Sequence, residues 1–271
     1  MRFFKYLRFL SLKVKYHFTL YGRLFKLIDY SVKPNDDFIF KMSDDGHAAV
    51  LSISTYPVMD TESVGSVWIF IQTGCWKLLR QLLPKNNKNN LYFGAGLDIS
   101  QDGKRIAIST LKREDVSTVP SVDVSVRYPS SGMKMGTGAV TIYDQFTYTD
   151  ANGIRQTEYK FHSEILSTDY DNDSGFGKYL AFSRDGQLLA IAVPEALLFG
   201  IRLGEIVIYR FDGLRYHPSL KIRGQLAFSN FGRGMYFSND GRYLICNHLN
   251  HWGKTIRVPY EINDSETSGE K

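Results

Sequence analysis

The chain has 271 residues, 43% of them hydrophobic and 14% aromatic, which is enough apolar surface to close a core and excludes a chain disordered throughout. The net charge of +5 belongs to one end: residues 1–28 hold seven of the 33 basic residues and no acid, leaving 26 bases against 28 acids elsewhere. That balance excludes a broadly basic, nucleic-acid-coating body.

Residues 1–12 form a basic arm in which cations alternate with aromatics, as in Arg2-Phe3-Phe4-Lys5-Tyr6, a pattern suited to nucleic-acid phosphates or an anionic membrane. A mitochondrial presequence or a solvated strand would read the same way. Lys5, Arg8, Lys13 and Lys15 interrupt the apolar residues before a secretory core could form, and the uncharged run Ser63–Trp76 spans only 14 residues. No signal peptide or membrane span is therefore expected, and the location expected is cytoplasmic or within a large particle such as a virion or organellar complex. Cys75 and Cys246 are too few for a disulfide framework and suit a reducing setting.

From Val14 to Pro34 the pattern matches Val67 to Pro84: strand, glycine turn, amphipathic strand, proline. It predicts the third and fourth strands of a blade completed by the C-terminal end, closing a ring. Four Ser-x-Asp-Gly anchors follow, at Ser43–Gly46, Ser100–Gly103, Ser183–Gly186 and Ser238–Gly241. Apolar residues alternate with period two on both sides of each anchor, so each predicts a hairpin whose glycine takes the turn's positive φ. Seven residues before the serine, the last three copies carry Phe-Gly, at Phe93-Gly94, Phe176-Gly177 and Phe231-Gly232.

Third strands are predicted at Gly65–Phe70, Gly138–Tyr143, Gly204–Tyr209 and Gly253–Val258. Fourth strands are predicted at Trp76–Leu83, Thr157–Ile165 and Tyr216–Ile222. Four antiparallel strands recurring in this way are the unit of a propeller blade. The anchors lie 57, 83 and 55 residues apart. A long loop at 110–137, rich in Ser, Val and Pro, accounts for the wide middle interval and is the first candidate for a partner contact. The fold class is thus all-β, a β-propeller of four or five four-stranded blades occupying residues 13–262, with a flexible tail at 263–271.

The succession F-G, S-x-D-G-x-x-[LI]-x-[IV] and G-x-[VI]-x-[IV]-[YF], with Gly74-Cys75-Trp76 after the first third strand, resembles the FG-GAP repeat family over about residues 36–258. WD-repeat propellers are the runner-up, but Trp-Asp is missing after the third strands. The resemblance implies a binding or structural propeller rather than an enzyme. The family's calcium sites place several carboxylates in the turn that here reads S-x-D-G, which offers one or two.

Asp169, Asp171 and Asp173, with Gly175, have the alternate spacing of a calcium loop and are the candidate metal ligands. Position 12 of that loop is Leu180, where calcium would want a bidentate Glu. Cys246-x-His248-x-x-His251 is one ligand short of a zinc site and reads as a buried thiol before a polar turn. Gly253-Lys254-Thr255 ends like a phosphate loop, but its first glycine is replaced by His248. The function expected is a non-catalytic interaction or structural module, binding a protein through loop faces and able to form homo- or hetero-oligomers. The alternatives are a calcium-dependent adhesion propeller, and a propeller hydrolase with two carboxylates converging at the ring centre.

Overall fold

The computed structural model describes residues 24, 26–28, 38–55, 64–84, 92–111, 138–167, 170, 174–227, 231–249 and 255–262. Blade 1 is β1 (Phe38–Met42), β2 (Ala48–Ile53), β3 (Ser66–Thr73) and β4 (Cys75–Leu82). Blade 2 is β5 (Phe93–Ile99), β6 (Arg105–Thr110), β7 (Ala139–Thr149) and β8 (Arg155–Leu166). In blade 3, β9 (Leu180–Phe182) and β10 (Leu188–Val193) are followed by a ribbon, β11 (Leu197–Leu198) and β12 (Ile201–Arg202), then by β13 (Glu205–Phe211) and β14 (Tyr216–Arg223). Blade 4 is β15 (Arg233–Phe237), β16 (Tyr243–Leu249) and β17 (Thr255–Glu261). Every pairing is antiparallel between sequence neighbours of the repeat. Three blades thus have four strands, and blade 4 has three among the described residues. The chain is a four-bladed β-propeller, as its repeats predict.

The Ser-x-Asp-Gly turn is built the same way four times. The serine hydroxyl donates to the aspartate (Ser43–Asp45 2.6 Å, Ser100–Asp102 2.6 Å, Ser183–Asp185 2.7 Å, Ser238–Asp240 2.6 Å). The same carboxylate oxygen accepts the amide two residues on, from His47, Lys104, Gln187 and Arg242. The serine oxygen in turn accepts the amide that opens the second strand. These local bonds compete with other turn geometries and fix the hairpin register.

Phe-Gly joins one blade to the next. The phenylalanines are buried (Phe93 3%, Phe176 1%, Phe231 1% exposed), and each such ring contributes roughly 1.5–3 kcal/mol. The glycines have φ of 84°, 84° and 89° and lie against the second strand of the preceding blade. A Cβ on Gly94 would sit 2.7 Å from Ser52, on Gly177 2.8 Å from Ser109, and on Gly232 2.7 Å from Ala192. The small side chains of Ser52, Ser109 and Ala192 stand at the points of closest approach.

The core is a series of inter-blade layers. Val50, Val67 and Ile69 of blade 1 meet Leu97, Ile106 and Tyr159 of blade 2. Val140 and Ile142 of blade 2 meet Phe176, Leu189 and Val207 of blade 3, whose opposite face, with Ala190 and Ile206, meets Phe231, Leu244 and Cys246 of blade 4. The inner strands pack in sequence, β1 on β5, β5 on β9 and β9 on β15.

The remaining face of blade 1, with Ala49, Leu51, Ile53, Trp68 and Phe70, is covered by Leu24 and Ile28. Here the structure corrects the sequence reading: Leu24, Lys26 and Leu27 are helical, not part of a fourth strand. Leu24 and Ile28 are four residues apart, so one helical turn carries both to the same face. Residues 14–23 and 29–34 lie outside the described residues.

Candidate functional site

Strand direction sorts the loops into two ends. The Ser-x-Asp-Gly turns and the hairpins closing at Gly74, Gly153 and Gly213 occupy the turn end. The second-to-third-strand connections and the links between blades occupy the connection end. The β6–β7 connection, described at Leu111 and Gly138, opens at the connection end; residues 112–137 lie outside the described residues.

At the ring axis three inner strands meet on one carboxylate. Asp98 of β5 receives Lys41 Nζ from β1 at 2.9 Å and accepts the Phe182 amide of β9 at 2.7 Å. Burial raises its pKa above the usual carboxylate value, against the pull of Lys41 and the amides of Phe182 and Ile99. Asp98 is the only acid on the described inner strands, and both its oxygens are engaged. The described inner strands thus place no second carboxylate beside Asp98.

Cross-blade contacts near the turn end centre on Arg105. Arg105 of β6 stacks on Phe211 at 3.7 Å, donates to Gly186 O at 2.8 Å and Tyr216 Oη at 3.1 Å, and pairs with Asp144 at 3.4 Å. Tyr216 donates to Gly186 O at 2.5 Å, as Tyr159 does to Gly103 O in blade 2. Burial pushes the Tyr216 hydroxyl up to about 12 and the Tyr159 hydroxyl well above its ordinary value, so both remain protonated donors.

At the connection end, Glu205 is buried at the start of β13, accepts the Tyr170 hydroxyl and faces Arg223 Nε at 3.4 Å. Tyr170 stacks on Phe176 and pins the middle of the acidic connection into blade 3. Asp169, Asp171 and Asp173 lie outside the described residues. Among the described residues no group of three His, Cys, Asp or Glu gathers as a metal site. Cys246 is buried at the blade 3–blade 4 interface, and burial alone pushes its thiol up to about 12, consistent with the sequence reading. His251 lies outside the described residues.

The most exposed large apolar side chain described is Phe199, at 89%. It tips the β11–β12 ribbon, where Leu197 pairs with Arg202 and Leu198 with Ile201. Phe199 and Gly200 have φ of 54° and 78°, the signature of a type I′ turn, which ordinarily places Asn, Asp or Gly first. A bulky residue there costs roughly 1–2 kcal/mol. Leu197 and Ile201 flank it at 50% exposure each. The base of the ribbon is held by the Arg202–Glu195 pair at 3.3 Å and by Gly204 N to Ala196 O at 3.2 Å. Sequence reasoning passed over this finger. Its signal is a Phe-Gly pair with no Ser-x-Asp-Gly seven residues on.

No family model and no curated protein matches the chain. Among solved structures it is similar to TolB from Agrobacterium tumefaciens, at 14% identity and a TM-score of 0.45, covering 85% of this chain and 60% of that one. A periplasmic gluconolactonase from Pseudomonas aeruginosa aligns at 11% identity and 0.34, covering 84% and 72%. An acylaminoacyl peptidase from Pyrococcus horikoshii aligns at 12% and 0.42, covering 83% of this chain and 31% of the peptidase. The chain therefore spans about 60% of the first of these and under a third of the last. No helix among the described residues is long and apolar enough to cross a membrane. What identifies the chain is its own set of sheets: a four-bladed β-propeller with an apolar finger at its connection end.

Proposed function

We propose that the chain is a non-catalytic protein-interaction propeller of the FG-GAP type, which binds its partner through the connection end. The observation that carries this reading is Phe199, a bulky apolar side chain held almost fully in water on a braced turn whose backbone disfavours it. Local strain of this kind persists where it serves a site, and an exposed aromatic with apolar neighbours has the anatomy of a binding hot spot. The long 110–137 connection opens at the same end. The described turn carboxylates and Asp98 are committed to structural hydrogen bonds, which agrees with a binding role. The Phe-Gly and Ser-x-Asp-Gly spacing supports the FG-GAP assignment.

The test compares wild type with Phe199→Asn. Asparagine suits the turn, so the variant is expected to melt at or slightly above the wild-type temperature while losing partner retention in source-cell extract. Equal retention by the two proteins would refute the assignment of the finger.

A further inference from the structure

The face of blade 4 turned away from blade 3 is built unlike any other blade face. In the earlier blades the second strand is buried on both sides: β2 and β10 throughout, β6 at all but its two end residues. In β16, Leu244 and Cys246 pack against blade 3 and are buried, while Tyr243, Ile245 and Asn247, which alternate with them, are half-buried. The joint that links the blades is not repeated here. Nine residues after its anchor serine, each earlier blade sets Ser52, Ser109 or Ala192 against the next Phe-Gly, whereas blade 4 has Asn247 at that position. Blade 1, in turn, has Asp36-Asp37 in place of Phe-Gly, and its outer face is covered by Leu24 and Ile28. A terminal repeat of this kind presents its outer face as surface.

Two rows cross that face, since cross-strand partners share a side. Tyr236, Ile245 and Pro259 form an apolar row, with Tyr236 43% exposed. Arg233, Asn247 and Arg257 form the row beside it. Arg257 donates from Nε to Asn247 Oδ1 at 3.4 Å, and its guanidinium stands 5.8 Å from the Tyr236 ring centre, so the two rows touch. Arg233 and Arg257 are exposed, and neither pairs with a carboxylate among the described residues; Arg242 does, with Asp240 at 3.7 Å. The edge of β17 is closed to a further strand at its middle. Ile262 N donates to Arg242 O at 2.7 Å, and alternation from that pair turns the Pro259 nitrogen to the free edge, where it offers no donor.

We propose that this face binds an acidic segment of a partner protein. Arg233 and Arg257 take its carboxylates, with forked donors suited to bidentate contact, and the Tyr236 row takes an apolar side chain beside them. A second copy laid face to face would set the same unpaired arginines against each other. A nucleic-acid strand finds no supporting field, because the chain beyond residue 28 holds 26 bases against 28 acids. The surface lies on blade 4, apart from the blade 3 finger, and its contact is separate from the one assigned to Phe199.

Fluorescence anisotropy of the full chain with a labelled peptide of glutamates around one phenylalanine reads the result. Binding is expected, weakening as salt is added, and a peptide with glutamine for glutamate should not bind. Arg233→Gln together with Arg257→Gln should weaken binding by roughly tenfold at an unchanged melting temperature. Tyr236→Ala should weaken it by roughly fivefold, and Phe199→Asn should leave it as in wild type. The basic arm is intact in every variant, so full binding by the double arginine variant assigns the peptide to residues 1–28 and overturns the proposal. So do equal binding of the glutamine peptide, binding of neither peptide, loss on Phe199→Asn, and tighter binding of an oligouridylate than of the glutamate peptide.

Discussion

Replacing Gly177 by alanine tests how Phe-Gly builds the propeller. At φ of 84°, alanine pays the left-handed penalty of roughly 1–2 kcal/mol. Its Cβ would also lie 2.8 Å from Ser109 Cβ and 3.1 Å from Val140 Cγ2, contacts that force blades 2 and 3 apart. Overpacking of this kind costs roughly 1–3 kcal/mol. The sum, about 2–5 kcal/mol, is a large part of an ordinary domain's stability. Gly153→Ala is the control, because φ there is 77° and nothing lies within 4 Å, so only the backbone penalty applies. Urea denaturation at fixed pH should show Gly177→Ala losing more than Gly153→Ala. Equal losses at Gly177 and Gly153 would refute the close-contact explanation of the motif.

Other consequences follow from buried groups. Asp98→Asn keeps an acceptor for the Phe182 amide and removes a buried charge, while Lys41, 40% exposed, can hydrate; at neutral pH the cost is expected within about 1 kcal/mol of zero. Asp98→Ala strands the amide and should cost roughly 1–3 kcal/mol more, read by the same denaturation. The Asp98 pKa is raised on folding, so the native state binds that proton more tightly than the unfolded chain. Its contribution is fully present below the unfolded value of 3.8 and is lost as pH rises through the higher folded value. Wild type should therefore gain on Asp98→Asn as pH falls through that window, and a wild type that instead loses ground to the variant on acidification would contradict the burial account. With a thiol reagent at neutral pH, exposed Cys75 should react promptly and buried Cys246 only on unfolding; prompt reaction of both would place Cys246 elsewhere.

What the sequence made legible was the local structure. Ser-x-Asp-Gly closes its hydrogen bonds within five residues, so its spacing alone marked four hairpins, and the predicted third and fourth strands fall within a few residues of those observed. Phe-Gly was legible as a mark, but its reason lies across a blade boundary, in Ser52, Ser109 and Ala192. The N-terminal stretch misled because short apolar runs satisfy both periods: Leu24 and Ile28 fit a strand written loosely and a helix written strictly. Asp98 could not be singled out, since Lys41 and Phe182 are far from it in sequence. Phe199 was hidden inside the apolar run from Ala196 to Ile201, where only the turn conformation separates a buried strand from an exposed tip.

The central claim is that the connection end, led by Phe199, is the binding face. A photoreactive phenylalanine analogue at position 199, and separately at position 153 on the turn end, tests it most directly in the source cells. Discrete crosslinks to a protein partner from position 199, with none from 153, are the predicted result. Crosslinks confined to position 153, or none from 199, would contradict it.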